Sequence, residues 1–256
     1  MAVALVIAGL IALVTPAAAS PDTAIAAPAA KASATKFGLF GSLEFRAGRL
    51  DAIAPWKAVR ARIERERPTY ARCDDDLAAC PVRLRGWRAR IAALRGKDRL
   101  EQLRGLNRFV NRAIRYRADA GRFARADYWA SPAQVLTRSG DCEDYAIAKF
   151  VSLIDLGFSG SQIRIAVVRD TVRRIDHAVV TVSLDGRIYV LDSLFDEPVP
   201  HQYVLQYVPV YSVNLDTRWA HVVTPQIRSA FVQQIAQSPA PVRPRTKPVA
   251  VVELTQ

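Results

Sequence analysis

Asp185-Gly186 stands between two apolar runs with a period of two, Ala178 to Leu184 and Arg187 to Leu191. An Asp-Gly pair suits both central positions of a two-residue turn whose twist matches the strands it joins. The runs are therefore expected to form an antiparallel hairpin, with 184 opposite 187 and 179 opposite 192. Side chains alternate along a strand, so His177 shares a face with Val179. Asp192, opposite Val179, points to that same side. One turn dipeptide thus puts an imidazole and a carboxylate near one end of a hairpin, on one face. Asp176 is the alternative acid, but alternation turns it away from the face carrying His177. Another run of period two, Ile163 to Val168, reads as a further strand.

Upstream, Gly140-Asp141-Cys142-Glu143-Asp144-Tyr145-Ala146 opens a helical run reaching about Leu156, with the apolar face Tyr145, Ala146, Ala148, Phe150 and Leu153. Cys142 falls at the helix start, where first-turn amides and the positive end of the macrodipole favour a thiolate. A small buried residue packing the first turn is the alternative. A Cys on a helix with a His on one strand and an Asp on the next supplies the parts of a papain-like triad, which favours the nucleophile. In that arrangement His177 takes the Cys142 proton and returns it to the leaving amine, and Asp192 holds the imidazole. The Cys142 amide is a natural oxyanion donor.

The 256 residues have room for one large domain or two small lobes. Residues 1–19 carry no charge, and Ala2 to Val14 has roughly the length of a signal-peptide core. Ala17-Ala18-Ala19 provides a cleavage site before Ser20, so export to the periplasm is expected rather than a membrane-spanning anchor. Residues 20–36, rich in Ala, Pro, Ser and Thr, read as a flexible leader, and the basic, Pro-rich tail from about Ser238 as disordered. Cys73 and Cys80 enclose Asp-Asp-Asp-Leu-Ala-Ala and are disulfide candidates in an oxidising compartment, leaving Cys142 as the free thiol. Three amphipathic helices are expected at about 49–66, 82–95 and 97–117. On the third, Asn107 and Asn111 lie one turn apart and read as hydrogen-bonded structural residues. Ser131-Pro132 reads as a cap and first position of a short helix. His201 and His221 lie outside the hairpin and read as structural or exposed. The net charge of +12 comes largely from arginines spread along these helices, a pattern usual for solvated faces. No nucleic-acid fingerprint accompanies it, so nucleic acid is not expected as a partner.

Around Cys142, His177 and Asp192 the chain resembles the bacterial transglutaminase-like cysteine proteinases, in particular the periplasmic adhesin-processing members. The most specific parts are Asp127-Tyr128-Trp129-Ala130-Ser131-Pro132, the segment Gly140 to Lys149, and Val190-Leu191-Asp192. A fourth, Pro209 to Asn214, looks like the family's final strand. Ala178 and Ser193 depart from the residues usual there, without touching a reacting group. The resemblance implies an α+β fold with a papain-like core, in which the Cys helix packs on an antiparallel sheet carrying His and Asp. The expected divisions are a signal peptide at 1–19, a leader at 20–36 and a helical N-terminal lobe at 37–120. A proteinase core at 121–224 and a C-terminal extension at 225–256, partly disordered, complete them.

The resemblance also implies cleavage of a large repeat-containing surface adhesin near its N-terminus, at a pair of alanines. An inner-membrane cyclic di-GMP receptor is the implied inhibitory partner. Trp129 is a second oxyanion donor by similarity to transglutaminases, with a plain core aromatic as the alternative. Calcium is the implied cofactor, with Asp141 and Glu143 as ligands and Asp144 and Asp127 as possible further ones. The residues supply a reason of their own. Carboxylates beside Cys142 raise the thiol pKa, and a bound oxygen-preferring cation would remove that penalty. Charges that merely complement the helix dipole are the alternative. Two other functions stay open: acyl transfer to an amine through the same thioester, and an inactive binding module of the same fold.

Overall fold

The computed structural model describes residues 37–47, 52–117, 128–136 and 138–238. The expected signal peptide and leader, Asp127, and the tail after Ser238 lie outside the described residues. In chain order the elements are β1 (Leu43–Arg46), α1 (Ala54–Asp75), α2 (Val82–Leu94), α3 (Arg99–Ala113), β2 (Arg115–Tyr116), α4 (Pro132–Val135), β3 (Ser139–Gly140) and α5 (Cys142–Asp155). Then follow β4 (Ile163–Asp170), β5 (Ile175–Leu184), β6 (Arg187–Leu191), β7 (Val199–Pro200), β8 (Tyr207–Val213), β9 (Arg218–Val222) and α6 (Pro225–Gln237).

Among the described residues seven strands form one antiparallel sheet in the order β1-β9-β8-β4-β5-β6-β7, and β2 pairs with β3 in parallel. The expected hairpin is present: Leu184 pairs with Arg187 and Val180 with Leu191. Asp185 and Gly186 both have positive φ, 50° and 73°, as a type I′ turn requires.

α5 is the central helix. Its residues Tyr145 to Leu153 are all buried, between the sheet on one side and α1 to α4 on the other. Trp87 on α2 donates its indole N–H to Ser152 at 2.7 Å, and Trp56 on α1 reaches the Asn214 carbonyl at 3.1 Å. Arg88 departs from the expectation of solvated arginines. It is 2 % exposed, stacks on Trp87, and pairs with Asp74 and Asp155 at 2.5 Å each, joining α1, α2 and α5. Gly157 ends the helix with φ 82°, and the amides of Gly157 and Phe158 cap Ile154 and Leu153.

The helix boundaries differ from expectation in two places. The helix expected over 49–66 begins at Ala54 and continues past Pro68 to Asp75. Proline removes one ladder hydrogen bond, but Ile63, Tyr70 and Cys73 on either side of it are buried, and the Cys73–Cys80 disulfide ties the last turn to α2. The helix expected over 97–117 stops at Ala113, because Arg115 and Tyr116 turn into strand pairing with Ser139 and Gly140.

The far face of the sheet is covered too. Leu39 and Phe40 pack with Val168, Val179, Val190, Val204 and Tyr207 in a second core. Phe231 of α6 closes over Gly41, where a Cβ would lie 2.2 Å from its ring. β1, within the segment expected to be helical, joins the sheet at β9.

Candidate active site

Cys142 is the first residue of α5, and Asp141 is its N-cap in extended conformation. β3 delivers the chain to this point: Gly140 pairs with Tyr116, and a Cβ there would meet Asp144 Oδ2 at 2.6 Å. Glycine is therefore the residue that lets the strand pass so close to the first helical turn. The backbone N–H of Ala178 lies near enough to the Cys142 sulfur to favour its thiolate, which sets the thiol beside β5 one residue from His177.

The expected partners of the thiol meet as the hairpin register requires. His177 Nε2 and Asp192 Oδ1 are 2.8 Å apart, and both side chains are buried, at 4 % and 0 % exposure. With Nε2 engaged by the carboxylate, Nδ1 is the ring nitrogen left for the thiol. Asp192 is held further by the Leu194 amide at 3.0 Å and the Tyr207 hydroxyl at 2.6 Å. These hydrogen bonds, His177 foremost, outweigh burial and keep its carboxyl below the ordinary range. Asp176 lies on the exposed side of β5 and pairs with Arg169 at 3.2 Å.

Tyr207 carries no signal of its role in the sequence. It enters β8, which pairs with β4 and so reaches the His177–Asp192 pair. Its phenol is pushed up by burial and by the Asp192 charge, so it stays a donor. Tyr116 is a second residue without a sequence signal. It is largely exposed on β2, and its phenol is raised by burial and then by the nearby Cys142 and Asp141 charges. Of the two expectations for His201 and His221, structural or exposed, their hydrogen bonds favour the first. The Phe40 amide donates to His201 Nδ1 at 2.9 Å, and His221 bridges Ser42 and Ser212.

The carboxylates beside Cys142 are close to its sulfur. The Cys142 thiol donates to Glu143 Oε2 at 2.8 Å. Burial, then the Glu143 charge and this hydrogen bond, push the thiol well above its ordinary pKa. Asp144 is fully buried and accepts the Ala130 N–H at 2.7 Å. Hard oxygen donors of this kind fit calcium in chemistry, although among the described residues no three His, Cys, Asp or Glu side chains gather as a metal set. Trp129 is buried against Trp56, and its indole N–H has no hydrogen-bond partner among the described residues. Cys73 and Cys80 are joined with Cα atoms 4.5 Å apart, which leaves Cys142 as the free thiol.

A cysteine at a helix start, beside the strand that carries a histidine tied to a buried aspartate, is the arrangement of a cysteine peptidase. Residues 68–226 match the model of the bacterial transglutaminase-like cysteine proteinases, and the chain belongs to that family. Among solved structures, LapG of Legionella pneumophila is 30% identical over 54% of this chain and 77% of its own, with a TM-score of 0.49. Its calcium-bound form is 27% identical over 60% and 89%, and its EGTA-treated form 26% identical over 59% and 87%, both again at a TM-score of 0.49. No curated protein matches the chain.

Proposed function

We propose that this cysteine peptidase is an exported, calcium-dependent endopeptidase working through Cys142, His177 and Asp192. The observation that carries the reading is the His177–Asp192 hydrogen bond beside the Cys142 sulfur. His177 Nδ1 removes the thiol proton, and the sulfur attacks the scissile carbonyl to form a thioester. The same nitrogen then protonates the leaving amine, and water resolves the thioester. The Cys142 amide and the spare Trp129 indole N–H are the oxyanion donors.

Asp141 and Glu143 would hold the calcium, with Asp144 and Asp127 as further ligands. When bound, such an ion would supply positive charge that offsets the carboxylates disfavouring a Cys142 thiolate. Calcium-bound and EGTA-treated forms of the Legionella protein support this choice of ion. The substrate we propose is a large repeat-containing adhesin cut near its N-terminus at an Ala-Ala site, which would control biofilm attachment in the periplasm. An inner-membrane cyclic di-GMP receptor is the proposed inhibitory partner. Resemblance to the adhesin-processing members supports both.

Incubation with an N-terminal adhesin fragment tests the reading. The wild type should release one cut product and Cys142→Ala none. Cleavage by Cys142→Ala at the wild-type rate would sink the assignment. EGTA should stop cleavage and excess calcium restore it; activity indifferent to chelator removes the calcium role.

A further inference from the structure

Away from the nucleophile, α2 and α3 enclose a groove of about 440 Å³. Five cations line it: Arg90 of α2, Lys97 just beyond that helix, and Arg104, Arg108 and Arg112 of α3. Glu101 is the one acid in the lining, and Leu94 and Phe109 contribute apolar surface. The Arg90 guanidinium lies 5.9 Å from the Phe109 ring centroid. The three α3 arginines recur every four residues, a spacing at which like charges repel and cost helix stability. Arginines on a convex solvated face would be spread apart. Here they converge on a concavity, where low-dielectric walls focus the positive potential.

Part of this charge is answered from within the chain. Glu197 bridges Arg104 and Arg108, with Arg104 Nε at 2.7 Å, and Asp196 meets Arg112 at 3.3 Å. The α3 wall therefore already seats carboxylates carried on a peptide backbone. Arg90 and Lys97, both exposed, form no ion pair among the described residues. From Glu101 to Arg112 the wall is about 16 Å long at the helical rise, which an extended peptide covers with about five residues. The same wall leads towards the nucleophile. Past Arg112 the chain becomes β2, where Tyr116, 63 % exposed, pairs with Gly140, two residues before Cys142.

We propose that the α2–α3 groove docks an acidic segment of the protein substrate, its carboxylates set against Arg90, Lys97 and the α3 arginines while another part of the same chain lies at Cys142. This rests on the peptidase reading of Cys142. The concave shape and the apolar surface between two charged walls suit a polypeptide strand; a flat layer of lipid headgroups would meet a convex face. The groove then selects substrates by charge at a distance from the bond that is cut, adding binding without touching a reacting atom.

The test uses the full chain carrying Cys142→Ala and a fluorescein-labelled peptide of alternating Glu and Ala, followed by anisotropy. Arg90→Glu/Lys97→Glu, which spares the ion pairs of α3, should weaken binding about tenfold, since two exposed attractions become repulsions. Lys57→Glu/Arg187→Glu makes the same change of charge on α1 and at the β5–β6 turn, and should weaken binding by no more than about twofold. Equal weakening by the two pairs, or none from the groove pair, overturns the proposal. So does binding of phosphatidylglycerol vesicles that depends on Arg90 and Lys97 when peptide binding does not. In cleavage of the adhesin fragment by the chain with Cys142 intact, the groove pair should raise KM about tenfold. A KM equal to wild type overturns the assignment to substrate. Peptide binding needs no catalysis, so a fragment left uncut counts against the reading of the active site, while anisotropy still judges the groove.

Discussion

At the scale of single residues, the proposed triad acid, Asp192, shows how much a site depends on groups that never meet the substrate. Asp192 accepts from His177, the Leu194 amide and Tyr207, so its orientation is fixed from three directions. Removing the Tyr207 hydroxyl should loosen one of these. Tyr207→Phe is expected to slow Cys142 alkylation at neutral pH about tenfold and to lower stability by about 1–2 kcal/mol, since a hydrogen bond to a buried charge is lost. An alkylation rate equal to wild type would show that Asp192 holds His177 without the phenol. His177 and Asp192 were legible in the sequence because one Asp-Gly turn sets the register of adjacent strands. Tyr207 was not, because its strand reaches the site through pairing with β4, and nothing local in Tyr207-Val208-Pro209 marks it. Gly140 belongs to the legible part only as a motif letter. Its reason, the approach of Asp144 to the passing backbone, is tertiary.

At the scale of elements, α1 shows where sequence rules yield to packing. Pro68 signals a stop, yet the helix runs on to Asp75, since Tyr70 and Cys73 are buried beyond the proline. The Cys73–Cys80 bridge then ties the end of α1 to the start of α2. A bridge this short in sequence contributes about 2 kcal/mol through the entropy it removes from the unfolded chain. Cys73→Ser/Cys80→Ser should therefore lower the urea midpoint, with the unfolding slope little changed. An unchanged midpoint in that variant would mean that Arg88, pairing with Asp74 and Asp155, already fixes the two helices. Arg88 itself reads in the sequence like its exposed neighbours; only the meeting of three helices identifies it as the buried one. α5, α2 and the β5–β6 hairpin were legible because their periodicity and turn residues agree with their packing.

At the scale of the whole molecule, the order of strands lay beyond the sequence, since β1 pairs with β9 across nearly the full length of the described chain. That closure has a pH signature. Where β1 and the segment before it meet the far side of the sheet, His201 accepts the Phe40 amide and His221 bridges two buried serines. Burial lowers the pKa of both to about 4, with Glu44 pulling the other way on each and Arg164 adding to the fall for His221. Both are neutral in the folded protein between about 4 and 6.5, whereas the unfolded chain takes up protons across that range. Their contribution is complete above pH 6.5 and is lost progressively as pH falls towards 4. Glu44 is shifted down chiefly by Arg164 and the Leu39 amide against burial, so its contribution is lost in more acid solution, below about 4.5. The thermal unfolding midpoint should therefore fall steadily from pH 6.5 to 4. His201→Asn, which cannot take up that proton, should show a shallower decline, by up to about 3 kcal/mol over the interval. An equal slope in both proteins would mean that the histidine is charged in the folded state, and that the Phe40 amide does not hold β1 to the sheet through this ring.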